Sequence, residues 1–335
     1  MIRAVPHPDP TAYLFPGEAS ARVGMGAGLW AADPARYEHW MQAAEAAAGL
    51  PLRRLSLGGP AAALACPEVA QPVVLALSLA VADAAHSIGL RPGYVAGHGC
   101  GAYAAAVVAG ALASEDAFAL VAERGRLMTA ADRRQSGATA FVLGFAPEAV
   151  ERVCAQVRQR FGYVAVASID SAQRAVLCGN ASSVERAIGL ARRLGATAGP
   201  LPATVAAHSL MMATVSAGIG RLARRMTWRD PQVPLVGIAR RPQLTRGAAI
   251  REALIIEVTQ TVRWDESIQT LRAAGSRHFL ELGPGRSLTG LAVRGGVGGV
   301  TMAADHPAKL LAFAERVAPA RDTGEVAVAA ARLAS

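Results

Sequence analysis

Apolar residues recur along this chain in two rhythms, and the change from one to the other marks its elements. The most apolar stretch, residues 72–90, is interrupted by Asp83 and His86. It predicts a helix over 71–90 that is buried on most faces. The two charged or titratable interruptions favour a core helix over a membrane span. Tyr13-Leu14-Phe15 before Pro16-Gly17 reads as a short buried strand ending in a loop, and Tyr94-Val95-Ala96 as another. Alanine-rich residues 35–50, 102–111 and 116–130 read as helices, the last with Arg124 inside it.

Between about residues 135 and 201 the texture changes. Residues 138–144 predict a strand, 147–161 an amphipathic helix, 164–169 and 175–178 strands, 182–194 a helix with Ser182 or Ser183 as its cap, and 196–201 a closing strand. That β-α-β-β-α-β order is the split, ferredoxin-like motif. Beyond it, a helix opening at His208 and running to Arg225, a strand over 233–238, helices over 250–259 and 264–274, and a strand over 277–282 resume the first pattern. The expected fold is α/β: a larger part from 1–134 and 202–317, a ferredoxin-like subdomain over 135–201, and a tail, 318–335, read as a loose terminal helix. A cleft between two such subdomains is a common ligand site.

Composition supports this reading. At 335 residues, with 52% hydrophobic and 18% charged residues, the chain suits a well-buried α/β protein and not a disordered one. The net charge of +9 favours an acidic partner. The arginines are scattered in short pairs, and no zinc or ribonucleoprotein motif accompanies them, which argues against nucleic acid. Lys309 is the only lysine. Cys66, Cys100, Cys154 and Cys178 fit no metal or redox spacing and read as free thiols of a reducing cytoplasm. The first ten residues have no apolar core of the signal-peptide kind.

Chemistry is concentrated at Val95-Ala96-Gly97-His98-Gly99-Cys100-Gly101. This is a strand end, a tight turn and a helix start, the pattern of a nucleophile elbow, and it makes the larger part α/β-hydrolase-like. The position after His98, where an attacking serine belongs, is Gly99. Other blocks stand in order around it: Phe15-Pro16-Gly17-Glu18-Ala19-Ser20-Ala21 with Val23-Gly24-Met25-Gly26, Glu123-Arg124-Gly125-Arg126-Leu127-Met128, Ala207-His208-Ser209-Leu210-Met211-Met212, Val262-Arg263-Trp264, and Glu281-Leu282-Gly283-Pro284-Gly285-Arg286-Ser287-Leu288-Thr289. Together they resemble the malonyl-CoA:acyl-carrier-protein transacylase family of fatty-acid and polyketide synthesis, over roughly residues 12–292.

The resemblance implies a ping-pong acyl transfer with no cofactor, the substrates being acyl-CoA and the phosphopantetheine thiol of an acidic acyl carrier protein. A ketosynthase is a further implied partner. A serine would take the acyl group at position 99, with His208 as its base. Arg124 would hold the malonyl carboxylate, His98 and Glu18 would also bind the substrate, and the Cys100 N–H with the loop around Glu18 would form the oxyanion hole.

The chain departs from that pattern at several points. Gly99 offers no side chain for an acyl-enzyme. Glu18 and Ala21 stand where the family usually has glutamines, and a carboxylate at 18 would repel an oxyanion. Ser168 and Asp170 fall where asparagines are frequent, and Ala207 precedes the histidine where malonyl-selective polyketide enzymes often carry Phe.

Several readings remain open at this level. Arg124 and His208 bind an acyl ligand, or Arg124 pairs with Glu18 and His208 caps its helix. Cys100 is a packing residue or a replacement nucleophile. The function classes are an acyltransferase of altered mechanism, a thioester hydrolase using His208-activated water, a non-catalytic pseudoenzyme that docks carrier protein or synthase as a scaffold, and an unrelated ligand-binding role on the same fold.

Overall fold

The computed structural model describes residues 10–202, 205–239 and 241–318. The first nine residues and the tail helix expected beyond Ala318 lie outside that range. Eleven strands are described: β1 (Thr11–Phe15), β2 (Tyr94–Gly97), β3 (Gly137–Leu143), β4 (Val164–Ser171), β5 (Arg174–Asn180), β6 (Thr197–Leu201), β7 (Leu235–Ile238), β8 (Arg241–Leu244), β9 (Val262–Arg263), β10 (His278–Leu282) and β11 (Thr301–Ala304).

They form two sheets. The first has the order β11-β10-β1-β2-β7-β8 and is parallel except for the β7–β8 pair. Its central strands are covered by helices on both faces, which is why β1 reads as an unbroken apolar run and not as an alternation. The helix expected over 71–90 spans Pro67–Ser87 and is nearly all buried against this sheet and its neighbouring helices. It is long and apolar enough to cross a membrane, but 89% of that apolar window is buried in the core.

The second sheet has the order β6-β3-β5-β4-β9. Its first four strands pair antiparallel and carry the helices Pro147–Phe161 and Ala181–Arg193 on one face, the ferredoxin-like arrangement. Val150, Val153 and Val157 meet Val184, Ile188 and Ala191 over this sheet, giving the smaller unit its own core. The cap of Ala181–Arg193 is Asn180 and not Ser182 or Ser183; the Asn180 side chain accepts from the Tyr163 N–H, while Ser183 is buried with its hydroxyl on the Phe161 carbonyl.

The two units are stitched together near the site. β9, from the larger unit, adds parallel to β4, and Trp264 directly after it is buried. The Thr261 hydroxyl donates to the Val166 carbonyl at 2.8 Å. Ala206 and Met211, which flank His208, pack on Ala167 and Cys178 of the second sheet. The helix expected to open at His208 begins later, at Ala213, after a short 3-10 turn Leu210–Met212. Ser209, not His208, caps that turn, its hydroxyl accepting from the Met211 N–H.

Candidate active site

In the parallel sheet the chain runs outward in both directions from the middle, and the loops that leave the carboxyl ends of neighbouring strands there form a crevice. Glu18 lies in the loop after β1 and Gly99 in the turn after β2, and these two strands are adjacent. Parallel pairing therefore places the two loops together. Cys100 caps the helix Gly101–Val108, so the turn through Gly99 sits at the N-terminal end of that helix, with the His98 N–H on the Phe15 carbonyl and the Gly101 N–H on the His98 carbonyl.

Gly99 has φ +55°, the left-handed region that a side-chain-bearing residue occupies only under strain. A Cβ at this position would sit 3.4 Å from His208 Nε2 and 3.4 Å from Glu18 Oε2. The direction a side chain would take from residue 99 is thus toward the imidazole. His208 is itself held at φ +60°. It is buried, and its Nδ1 lies 3.1 Å from the Glu257 backbone carbonyl. A carbonyl can only accept, so Nδ1 carries a proton and Nε2 is the ring atom turned toward position 99. That is the posture of a general base.

Arg124 reaches the site from the helix Ser114–Arg134. Gly125 lets that helix approach closely, since a Cβ there would meet the Pro67 carbonyl oxygen at 2.6 Å. The Arg124 side chain is fully buried. Its Nη2 donates to Glu257 Oε2 at 3.2 Å, and its Nη1 lies 3.7 Å from Glu18 Oε1. Glu257, at the end of the helix Gly247–Glu257, also brings Oε1 to 3.4 Å from His208 Nδ1. Burial pushes the Glu18 carboxyl up, but the Arg124 guanidinium, helped by the hydrogen bonds the carboxylate accepts, outweighs it and holds its pKa at about 2. Gln71 Nε2 donates to the same carboxylate at 3.3 Å.

Cys100 is buried, and burial followed by the Glu18 charge raises its thiol well above the ordinary range. An enclosed thiol with a raised pKa is a poor nucleophile, which fits the packing reading of Cys100 better than the replacement-nucleophile one. His98 turns away from position 99. Its Nε2 sits 3.3 Å from Ser168 Oγ and 3.6 Å from Asp170 Oδ1, and its ring packs tilted against Trp264 at 5.6 Å. Burial opposes its charge, but the Asp170 hydrogen bond raises its pKa. Asp170 also accepts from Ser168 Oγ and, at 2.9 Å, from Arg174 Nε. His98 therefore ties the elbow to β4.

The structure brings Glu18, Gly99, Cys100, Arg124 and His208 into one crevice. Sequence reasoning missed Glu257. Its one signal is a carboxylate inside the apolar stretch Ala253-Leu254-Ile255-Ile256-Glu257-Val258. The Glu281-Leu282-Gly283 block has a structural use: the buried Glu281 carboxylate accepts from the Leu288 and Thr289 N–H groups at 3.2 and 2.7 Å and caps the helix Ser287–Arg294. Among the described residues no cluster of His, Cys, Asp and Glu is arranged to hold a metal ion.

Comparison with known proteins places this geometry in context. Residues 12–309 match the family described as acyl transferase domain. The malonyl CoA-acyl carrier protein transacylase of Bacillus subtilis strain 168 is 35% identical over 281 residues, covering 84% of this chain and 88% of that relative. The structure of the malonyl CoA-acyl carrier protein transacylase from Coxiella burnetii superimposes with a TM-score of 0.88 at 29% identity, over 93% of this chain and 98% of that one. A malonyl-transacylase solved in complex with its type II polyketide acyl-carrier protein superimposes with a TM-score of 0.86 at 31% identity, over 91% of this chain and 99% of that one.

Proposed function

This chain belongs to the acyl transferase domain family, and from that premise we propose that it receives acyl thioesters of fatty-acid or polyketide synthesis, together with an acidic acyl carrier protein, without forming an acyl-enzyme. The observation that carries the reading is the Cβ direction at Gly99. It leads to His208 Nε2 at 3.4 Å, so the position a nucleophile would hold beside a ready base carries no side-chain atom. The buried Cys100 thiol, with its raised pKa, is a poor substitute. The carrier partnership draws on the net charge of +9 and on the solved complex of a related transacylase with its carrier protein.

His208 favours a second reading, hydrolysis of the bound thioester. With its Nδ1 proton fixed by the Glu257 carbonyl, His208 Nε2 can take a proton from a water that attacks the thioester carbon. The carbon–sulfur bond then breaks, and the imidazolium returns the proton to the departing thiolate, leaving a carboxylic acid and a free thiol. Glu18 limits this route, because its carboxylate lies where negative charge would develop.

Intact-protein mass spectrometry after mixing with malonyl-CoA or acetyl-CoA tests the first reading. The expected result is an unmodified mass with both, and no acyl group passed to holo carrier protein. An adduct on the unaltered chain at ordinary enzymatic rates would sink it. Thiol release in the same mixtures tests the second reading. It is upheld if release exceeds the buffer rate and disappears in His208→Ala, and is lost if release matches buffer.

A further inference from the structure

The crevice holds two carboxylates against one guanidinium. Glu257 and Glu18 both face Arg124, so the formal charge of the three sums to one negative. The two acids are not equivalent. Side-chain exposure is 0% for Arg124, 5% for Glu257 and 23% for Glu18, so Glu18 is the outer of the two. Its Oε1 looks inward at Arg124 and accepts from Gln71, while its Oε2 stands 3.4 Å from the Cβ position of residue 99. A carboxylate of the chain itself thus stands between the guanidinium and the reacting centre.

We infer that Glu18 occupies the carboxylate-binding place on Arg124, so that the pocket rejects acyl groups bearing a free acid and takes thioesters whose acyl group is uncharged. This rests on the reading that the crevice receives acyl thioesters. An incoming acid could reach Arg124 only by displacing Glu18 or by crowding beside it. Displacement strands Glu18 without its cation. Crowding puts a third carboxylate within a few ångströms of two others, and like charges at that range oppose one another strongly. Arg124 Nη2 is already engaged by Glu257 and Nη1 faces Glu18, so a newcomer would have to share the guanidinium with both carboxylates. Protonation gives no relief near neutrality, because Glu18 stays ionised down to about pH 2. An acetyl or longer alkyl acyl group makes none of these demands.

Calorimetric titration of the full chain with malonyl-CoA, acetyl-CoA and free coenzyme A decides the matter. Acetyl-CoA should bind at least about tenfold more tightly than malonyl-CoA. Glu18→Ala and Glu18→Gln should each raise the ratio of malonyl-CoA to acetyl-CoA affinity by about tenfold. Equal or tighter binding of malonyl-CoA to the unaltered chain overturns the inference, as does an unchanged ratio in both variants when circular dichroism shows them folded. Either outcome leaves the acyl-thioester reading standing. If neither thioester binds better than free coenzyme A, both readings fall together.

Discussion

Replacing Gly99 with serine adds a carbon 3.4 Å from His208 Nε2, and one further bond from that carbon brings a hydroxyl within hydrogen-bond reach of the ring. Two costs oppose the gain. The backbone at residue 99 has φ +55°, and a side chain there costs about 1–2 kcal/mol. The Tm should therefore fall by a few degrees. The second cost is Glu18: a carboxylate about 5 Å from a developing oxyanion, at an effective dielectric near 20, opposes it by about 3 kcal/mol. That is a factor of about 100 in rate. Against these stands the nucleophile itself, whose loss in a serine protease costs about 10⁶ in kcat. The net expectation is that Gly99→Ser gains a slow, stoichiometric acyl adduct, faster from acetyl-CoA than from malonyl-CoA. Adding Glu18→Gln should speed the adduct by about 100-fold and admit malonyl. Time-resolved intact mass spectrometry reads both rates, and His208→Ala in the same background should abolish them. A folded double variant that stays unlabelled by either thioester would show that residue 99 is not the attacking position.

Other outcomes follow from the same contacts. Glu257→Ala leaves the Arg124 guanidinium buried without its close partner and should cost about 3–5 kcal/mol in urea unfolding; a loss under about 1 kcal/mol would show that Arg124 finds another acceptor. Glu281→Ala removes the acceptor for two helix N–H groups and should cost about 1–3 kcal/mol in the same assay. Glu18 ionises below its ordinary 4.5, at about 2, so the stability it adds is present above pH 4.5 and lost as pH falls toward 2; Glu18→Gln should flatten the urea midpoint across that window. His98 is shifted the other way, above 6.5, so its contribution is whole below pH 6.5 and fades as pH rises through the folded value; His98→Gln should erase that fade. In native protein a thiol reagent should modify Cys66, which is partly exposed, and leave the buried Cys100, Cys154 and Cys178 until unfolding, a count that mass spectrometry gives directly.

Much of the fold was legible because its signals are local. The helix Pro147–Phe161 begins and ends where the amphipathic pattern does, and the β-α-β-β-α-β order of β3 to β6 follows from turns and periodicity within 65 residues, 137–201. The elbow was legible because strand, glycine-rich turn and helix are contiguous. The elements that escaped are held mainly by non-local pairing: β8 lies antiparallel on β7 at the sheet edge, β11 pairs with β10, and the two-residue β9 exists as a strand because β4 accepts it. The expected helix start at His208 failed because φ +60° there takes the chain out of helical geometry, and a 3-10 turn precedes the helix that begins at Ala213.

The sequence by itself determined which groups are present: a glycine at the elbow, His208 and Arg124 inside motif blocks, and a glutamate at position 18. Which of them touch, and with what net charge, was decided only by tertiary structure. Glu257 enters the site from 133 residues beyond Arg124, and nothing local marks it as that guanidinium's partner. The physical reason is that periodicity and turn chemistry act between near neighbours, whereas the charge state and occupancy of a buried crevice depend on whatever the packing brings across it.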